Sequence, residues 1–100
     1  MNGRWRLRLL FPVLLYFDCR APSASNGAVV FHNNCLDCHS LEPGQNGYGP
    51  SLAGFFRRNP SKSVDQTQQL IRNGRRRMPP FRDRLSSDQI QDVIAYINTQ

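Results

Sequence analysis

The sequence has no hydrophobic run long enough to cross a membrane as a helix. Its longest apolar stretch, residues 9–17, has nine residues and is interrupted by Pro12, whereas a transmembrane helix needs about 20. Alternating patterns typical of β-strands are nearly missing as well, and no segment repeats or has low complexity. These absences exclude a multi-span membrane protein, a β-rich domain and a repeat protein.

Acidic residues are scarce: there are 7 against 13 Lys and Arg, for a formal net charge of +6. Half of this excess comes from four arginines and one aspartate in the first 25 residues, so residues 26–100 hold only 9 basic and 6 acidic side chains. Nucleic acid binding requires a denser basic face with interleaved aromatic residues. We therefore expect no nucleic acid partner.

The first 25 residues have the organisation of an export signal. Arg4, Arg6 and Arg8 precede the apolar stretch 9–17, and the small residues APSAS, at positions 21–25, follow it. A positive segment, a short apolar segment and small residues are the three parts of a secretory signal peptide.

Cleavage is predicted between Ser23 and Asn26. It would divide the chain into a signal peptide, residues 1–25, and a mature domain, residues 26–100, that is exported to a bacterial periplasm. Two alternatives stay open for this segment. In the first, an uncleaved leader would anchor the protein in a membrane. In the second, the leader would be that of a lipoprotein and Cys19 would carry a lipid. The residues before Cys19 are bulky or charged, however, where lipoprotein signals have small residues.

The mature domain is predicted to be all-α, with two or three helices. The first starts near Asn26 or Gly27 and runs towards a pair of cysteines. The second and third each begin with a capping box, a serine whose partner glutamine lies three residues later: Ser63 with Gln66, and Ser86 with Gln89. Residues 41–60 contain four glycines and three prolines, so they form a loop with one helical turn near residues 52–56.

This domain has few apolar residues for its own core. A chain of about 75 residues buries only about 60% of its unfolded surface. Domains this small often need a metal, a disulfide or a bound group for stability. A disulfide between Cys35 and Cys38 would close a loop too short to restrict the unfolded chain much, so another group is expected to fill the core.

Residues 33–40, NNCLDCHS, are compatible with three kinds of chemistry. Zinc would have four possible ligands: His32, Cys35, Cys38 and His39. All of them lie within eight residues, whereas structural zinc sites join two separated segments of the chain. A dithiol switch of thioredoxin type needs a βαβ setting that the sequence does not offer. The third possibility is covalent haem attachment, for which C-x-x-C-H is the signature.

Two distant segments supply the other parts of a haem pocket. An iron-bound histidine needs a hydrogen-bond acceptor for its second ring nitrogen, and the Gly49-Pro50 loop can offer a backbone carbonyl. Met78 is the only methionine in residues 26–100 and lies between the predicted end of the second helix at Gly74 and two prolines. Rigid, extended backbone favours a presented iron ligand there over a packed core residue.

Four segments, in order, resemble the small class I cytochromes c. The segment GAVVFHNNCLDCH (27–39) resembles the family's first helix with its haem motif, and GYGPSLAGFFRR (47–58) resembles its G-P-x-L-x-G loop. The segment LIRNGRRRMPPF (70–81) resembles the part that ends in a methionine ligand, and LSSDQIQDVIAYIN (85–98) resembles the C-terminal helix. No single segment is highly specific, but together they are. The resemblance covers nearly the whole mature domain.

The resemblance implies a small all-α cytochrome c fold around one covalently bound haem c. Cys35 and Cys38 would form the two thioether bonds. His39 would be the proximal iron ligand and Met78 the distal one. The Pro50 carbonyl would receive the ring proton of His39.

Other contacts follow from the same resemblance. The terminal helices would cross where four residues meet: Gly27, Phe31, Val93 and Tyr96. The expected propionate contacts are less defined, because residues 26–100 contain no tryptophan. Arg57 or Arg58 would pair with a propionate, or both would be solvated surface charges. His32 is expected to be exposed.

Histidine and methionine together would leave the iron six-coordinate, and the soft thioether would favour its reduced state. The resemblance therefore implies a monomeric one-electron carrier that serves redox partner proteins and is not an enzyme. Arg75, Arg76 and Arg77 precede Met78 and are expected to steer docking to an acidic partner, with an ordinary solvated face as the alternative.

Two other functions stay open at this point. The chain would be a fixed haem-bearing subunit of a dehydrogenase or oxidase if an uncleaved leader tethered it. If Met78 were displaced, the open iron would perform peroxidase-like chemistry or bind a small gas.

Overall fold

The computed structural model describes residues 20–100. The predicted signal segment lies almost entirely outside the described residues, as does Cys19. The described part contains four helices: α1 (Ala24–Asn34), α2 (Phe55–Arg58), α3 (Val64–Asn73) and α4 (Ser87–Asn98). It has no strand, only one isolated bridge between Arg75 and Met78. The predicted all-α fold class is confirmed.

Both predicted capping boxes are present. The Ser63 and Ser86 hydroxyls accept the backbone N–H of Gln66 and Gln89, and each glutamine side chain accepts the backbone N–H of its serine. These reciprocal bonds satisfy amides that would otherwise lack partners in the first turn. They define the starts of α3 and α4. Gly74 ends α3 at a φ of 76°, a value that favours glycine.

Helix α1 starts earlier than the sequence predicted. Its first residue is Ala24, and Ser23 is the N-cap, with its hydroxyl accepting the backbone N–H of Asn26. The prediction of a start at Asn26 or Gly27 was therefore wrong by two to three residues. The cap lies in the APSAS segment. Its small residues were interpreted as part of a cleavage site, so the start of the helix was not predicted there.

The core is built where α1 crosses α4. A Cβ added to Gly27 would lie 1.9 Å from the Asp92 carbonyl oxygen and 2.9 Å from the Tyr96 Cβ, so only glycine lets the two backbones approach this closely. Phe31 and Val93 are fully buried, and the rings of Phe31 and Tyr96 are 5.6 Å apart. The expected meeting of the terminal helices is confirmed at these contacts.

The segment before α1 also packs against α4. Asp92 is only 2% exposed, and its carboxylate accepts hydrogen bonds from the Arg20 guanidinium and the Ser23 backbone N–H, both at 2.8 Å. Residues 20–23 are thus joined to the domain. The predicted boundary after residue 25 stays a prediction, but it would remove both of these donors.

Within residues 20–100, the helices are all too short or too polar to cross a bilayer.

Candidate functional site

The C-x-x-C-H pentapeptide folds into a tight turn directly after α1. The backbone N–H of Cys35 donates to Phe31 at 2.8 Å and ends the helix. The N–H groups of Cys38 and His39 then both donate to the Cys35 carbonyl, at 3.1 and 2.9 Å. Because one carbonyl accepts both bonds, the turn holds two thiols and one imidazole close together along the backbone.

The two thiols are free and have different environments. Cys35 is half-buried and packs against the core, whereas Cys38 is exposed. Burial raises the pKa of the Cys35 thiol to about 11, and the neighbouring Cys38 adds to the rise. Reactive dithiol switches instead lower a cysteine pKa to favour the thiolate. The half-buried position and raised pKa of Cys35 therefore give no support to the dithiol alternative.

The His39 ring is held in one orientation by the loop across from it. Its Nδ1 lies 2.8 Å from the Pro50 carbonyl oxygen. A carbonyl only accepts hydrogen bonds, so Nδ1 carries a proton, and in the neutral ring Nε2 then keeps a free lone pair. A Cβ on Gly49 would lie 2.5 to 3.0 Å from three ring atoms. The ring therefore packs directly against the Gly49 backbone.

Ser51 organises the loop that contains Pro50. It is 5% exposed, its backbone N–H donates to the Asn46 side-chain oxygen at 2.9 Å, and its hydroxyl donates to the Glu42 carbonyl at 2.7 Å. The next amide, that of Leu52, donates to the Ser40 carbonyl at 2.8 Å. Sequence reasoning missed Ser51, because its hydroxyl bonds only to backbone groups, the Glu42 carbonyl and the Ala53 N–H, which have no pattern in the sequence.

Met78 is presented by a tight turn. The backbone N–H of Arg75 donates to the Met78 carbonyl, and that of Met78 donates back to Arg75, both at 2.9 Å. Arg76 lies at the tip with a φ of 56°, an uncommon value for a residue other than glycine. The Met78 side chain is half-buried and packs against the core.

His32 lies away from this arrangement. It is exposed, and its ring nitrogen Nδ1 lies 2.8 Å from the Ala28 carbonyl of the same helix. Among residues 20–100, no three His, Cys, Asp or Glu side chains come close enough together to hold a metal ion. The zinc alternative therefore has no support in this part of the chain.

The residues present fit a covalently attached haem. Two free thiols stand at the required spacing, and the adjacent imidazole has only Nε2 available for iron. An open cavity of about 390 Å³ borders Cys38 and His39, although neither Cys35 nor Met78 lines it. A second cavity of about 320 Å³ borders Phe55, which packs against the core, and Leu70, but most of its other lining residues are polar.

Charge is unevenly distributed along the described chain. Residues 57–84 contain nine Lys and Arg against two Asp, whereas residues 21–56 and 85–100 contain no Lys or Arg. Arg75, Arg76 and Arg77 are all exposed. In residues 20–100 the only ion pairs are those of Arg20 with Asp88 and Asp92, so the arginines of the turn are free to meet an external partner.

Comparison with known proteins gives a consistent result. A protein-family model described as cytochrome c oxidase, cbb3-type, subunit III matches residues 22–97. Cytochrome c6 of Leptolyngbya boryana is 37% identical over 75 residues, which cover 74% of this chain and 88% of the relative. Cytochrome c6 of a Synechocystis species is 32% identical over 83 residues, which cover 80% and 68%.

A solved structure is similar as well. Cytochrome c6 of the diatom Phaeodactylum tricornutum superposes with a TM-score of 0.63 at 27% sequence identity. The match covers 77% of this chain and 92% of the diatom protein. The family model, the two relatives and the solved structure thus all indicate the same family.

Proposed function

The chain belongs to the cytochrome c family, and we propose that it carries one electron at a time between redox partner proteins outside the cytoplasm. Proteins of this family hold one covalently bound c-type haem. The observation that carries the proposal is the 2.8 Å contact between His39 Nδ1 and the Pro50 carbonyl. It leaves Nε2 as the one ring nitrogen available to iron, directly after the two thiols.

Cys35 and Cys38 would hold the cofactor through thioether bonds. The turn after α1 supports this role, because a single carbonyl fixes the backbone of Cys38 and His39 relative to Cys35. The half-buried Cys35 would attach at the core side and the exposed Cys38 nearer to solvent. A covalent link at two points would keep the His39 ring and the cofactor in register.

Met78 would supply the second axial ligand. Its turn is closed by two backbone hydrogen bonds, and two prolines follow it and restrict the backbone further. A thioether ligand favours reduced iron, and the bound haem would then exchange single electrons between its ferrous and ferric states. With both positions filled by His39 and Met78, the site would have no place for a substrate, which fits a carrier better than an enzyme.

Arg75, Arg76 and Arg77 would steer the docking of an acidic partner. They are exposed, belong to the turn that presents Met78 and have no acidic partner in residues 20–100. Charged patches of one sign raise the rate of encounter with an oppositely charged surface. Electron transfer encounters are typically small and transient, so we expect the carrier to be a monomer between encounters.

Export is proposed from the sequence of the leader. The leader at residues 1–25 has the parts of a signal peptide. We propose that the protein works in the periplasm after cleavage of this segment before Arg20, so that the contacts of Arg20 and Ser23 with Asp92 are retained.

Haem staining after a denaturing gel, followed by an optical redox titration, tests the main proposal. A stain that survives denaturation is expected from thioether attachment, and the titration should follow a single one-electron transition. Loss of the stain in the unsubstituted protein would overturn covalent attachment. A spectrum typical of an open ferric site would overturn ligation by Met78.

The matched family model favours a second candidate, a fixed electron-transfer subunit of an oxidase. Its description names a subunit of a cytochrome c oxidase, and the match spans residues 22–97. An uncleaved leader would provide the tether. Size-exclusion chromatography of the native protein, with and without mild detergent, separates the candidates: a free carrier elutes as a small monomer in both cases, whereas a subunit elutes within a large complex that requires detergent.

A further inference from the structure

Arg58 uses its guanidinium to hold the backbone of the loop that contains Pro50. Its Nε–H donates to the Ala53 carbonyl at 2.9 Å, and its Nη2 donates to the Ser51 carbonyl at 2.8 Å. The neighbouring Arg57 makes only one longer bond, 3.4 Å to the Gln100 carbonyl. The sequence alone did not distinguish Arg57 from Arg58, whereas in the structure only Arg58 donates to the Ser51 and Ala53 carbonyls of this loop.

The loop is fixed on both sides of the Ser51 Cα atom. The Pro50 carbonyl and the Ser51 N–H belong to one planar peptide unit, and Asn46 accepts that N–H at 2.9 Å. The Ser51 carbonyl belongs to the following unit, where Arg58 donates to it. Only two soft dihedral angles join these planes. Holding the second unit therefore limits how far the Pro50 carbonyl can turn.

We propose that Arg58 is a positioning residue for His39. Its guanidinium fork holds the carbonyls of Ser51 and Ala53, and this keeps the Pro50 carbonyl aimed at the Nδ1–H of His39. Two hydrogen bonds from one charged, planar group are stronger and more directional than neutral single bonds. A lysine would keep the charge but could not present a rigid fork to both carbonyls.

This role matters because the hydrogen bond on Nδ1 controls how strongly Nε2 donates to a metal. An acceptor on the second nitrogen fixes the ring and raises the basicity of the ligand. A weaker bond to Pro50 would make His39 a poorer donor to ferric iron, and the reduction potential would rise. The inference thus rests on the proposed function, in which His39 is the proximal ligand.

The test compares R58K with R57K in the haem-loaded protein. Both substitutions keep the positive charge, so a change in long-range electrostatics cannot distinguish the two variants. We expect the His39 Nδ1–H of R58K to exchange with deuterium about tenfold faster than in the unsubstituted protein, and its reduction potential to rise. R57K is expected to leave the exchange of the His39 Nδ1–H as it is in the unsubstituted protein, because the one hydrogen bond of Arg57 goes to the Gln100 carbonyl and not to this loop.

The unsubstituted protein offers an independent measurement should R58K fail to assemble. The Arg58 Nε–H is bonded to the Ala53 carbonyl, so it should exchange at least tenfold more slowly than the Arg57 Nε–H. Equal exchange of the two arginines, or equal behaviour of R58K and R57K with haem attached, would overturn the role of Arg58 alone. Absence of covalent haem from the unsubstituted protein would instead overturn the proposed function.

Discussion

The ring Nδ1 of His39 lies 2.8 Å from the carbonyl oxygen of Pro50, 11 residues further along the chain. The ring can come this close because Gly49 has no side chain: a Cβ there would lie 2.5 Å from the His39 Cε1. This contact orients the imidazole through a backbone acceptor. The missing side chain of Gly49 is therefore a condition for this contact.

Replacing Gly49 with alanine should displace the His39 ring. Overpacking of this kind costs about 1 to 3 kcal/mol, and we expect less covalent haem per chain and a shifted optical spectrum. Gly44→Ala is the control, because nothing lies within 4 Å of its Cβ position. It should cost some stability through its positive φ and leave the spectrum unchanged. Identical spectra for both variants would contradict the packing argument.

Met78→Leu should open one side of the iron if Met78 is the distal ligand. Leucine has a similar volume, so packing changes little, while the sulfur is lost. We expect the weak charge-transfer band of methionine-bound ferric haem to disappear, the reduction potential to fall, and added imidazole or cyanide to bind. An unchanged band would show that it does not arise from Met78 and would overturn ligation by this residue.

The helices were predictable where their signals are local. Capping boxes at Ser63 and Ser86 consist of residues three apart, so the sequence is enough to identify them. Ser23 lacks a glutamine or glutamate partner at the corresponding position, which is Asn26, and its cap was missed.

The site was predictable in part for the same reason. The residues of the C-x-x-C-H motif are contiguous, whereas the loop contacts of Ser51 and Arg58 join backbone carbonyls to distant side chains. Every residue has a carbonyl, so such acceptors leave no residue-specific pattern. Only folded geometry shows which carbonyls a guanidinium reaches.

Arg77→Gln should slow oxidation of the reduced protein by ferricyanide, a small anion used here in place of an acidic partner. The loss should be about twofold or more at low salt and should vanish at high salt, because the Debye length shortens to about 3 Å at 1 M. Arg82→Gln removes the same charge outside the Met78 turn and is the matched control. A rate that does not depend on ionic strength would remove the steering role of the turn.

Removing both attachment points should unfold much of the domain. Cys35→Ala with Cys38→Ala prevents covalent attachment, and the partly buried side chains around the core margin, such as Phe55 and Phe56, would lose their common surface. Binding that occurs only in the folded state stabilises it, so its loss shifts the equilibrium towards the unfolded chain. We expect helical circular dichroism to drop to a small fraction. Full helical signal in the double variant would show that the protein core suffices.

Asp92 should make stability depend on pH in the acid range. Hydrogen bonding from Arg20 holds the pKa of its carboxyl below the ordinary value, against the opposing effect of burial. Because the folded pKa is the lower one, this stabilisation is complete above the unfolded pKa of about 3.9 and is lost as the pH falls through the folded value. Asp92→Asn should therefore flatten the acid limb of urea unfolding midpoints measured from pH 7 to pH 2.

The matched control for this prediction is Asp88→Asn, which changes an exposed carboxylate 3.8 Å from the same Arg20. It should leave the acid limb nearly as it is in the unsubstituted protein, and parallel curves for the two variants would contradict the role of Asp92.

The contacts of Asp92 with Arg20 and Ser23 also bear on where the leader is cleaved. A mature chain beginning at Asn26 would lack Arg20 and Ser23 and leave Asp92 buried without either donor, a costly arrangement. We therefore expect the intact mass of the exported protein to include Arg20.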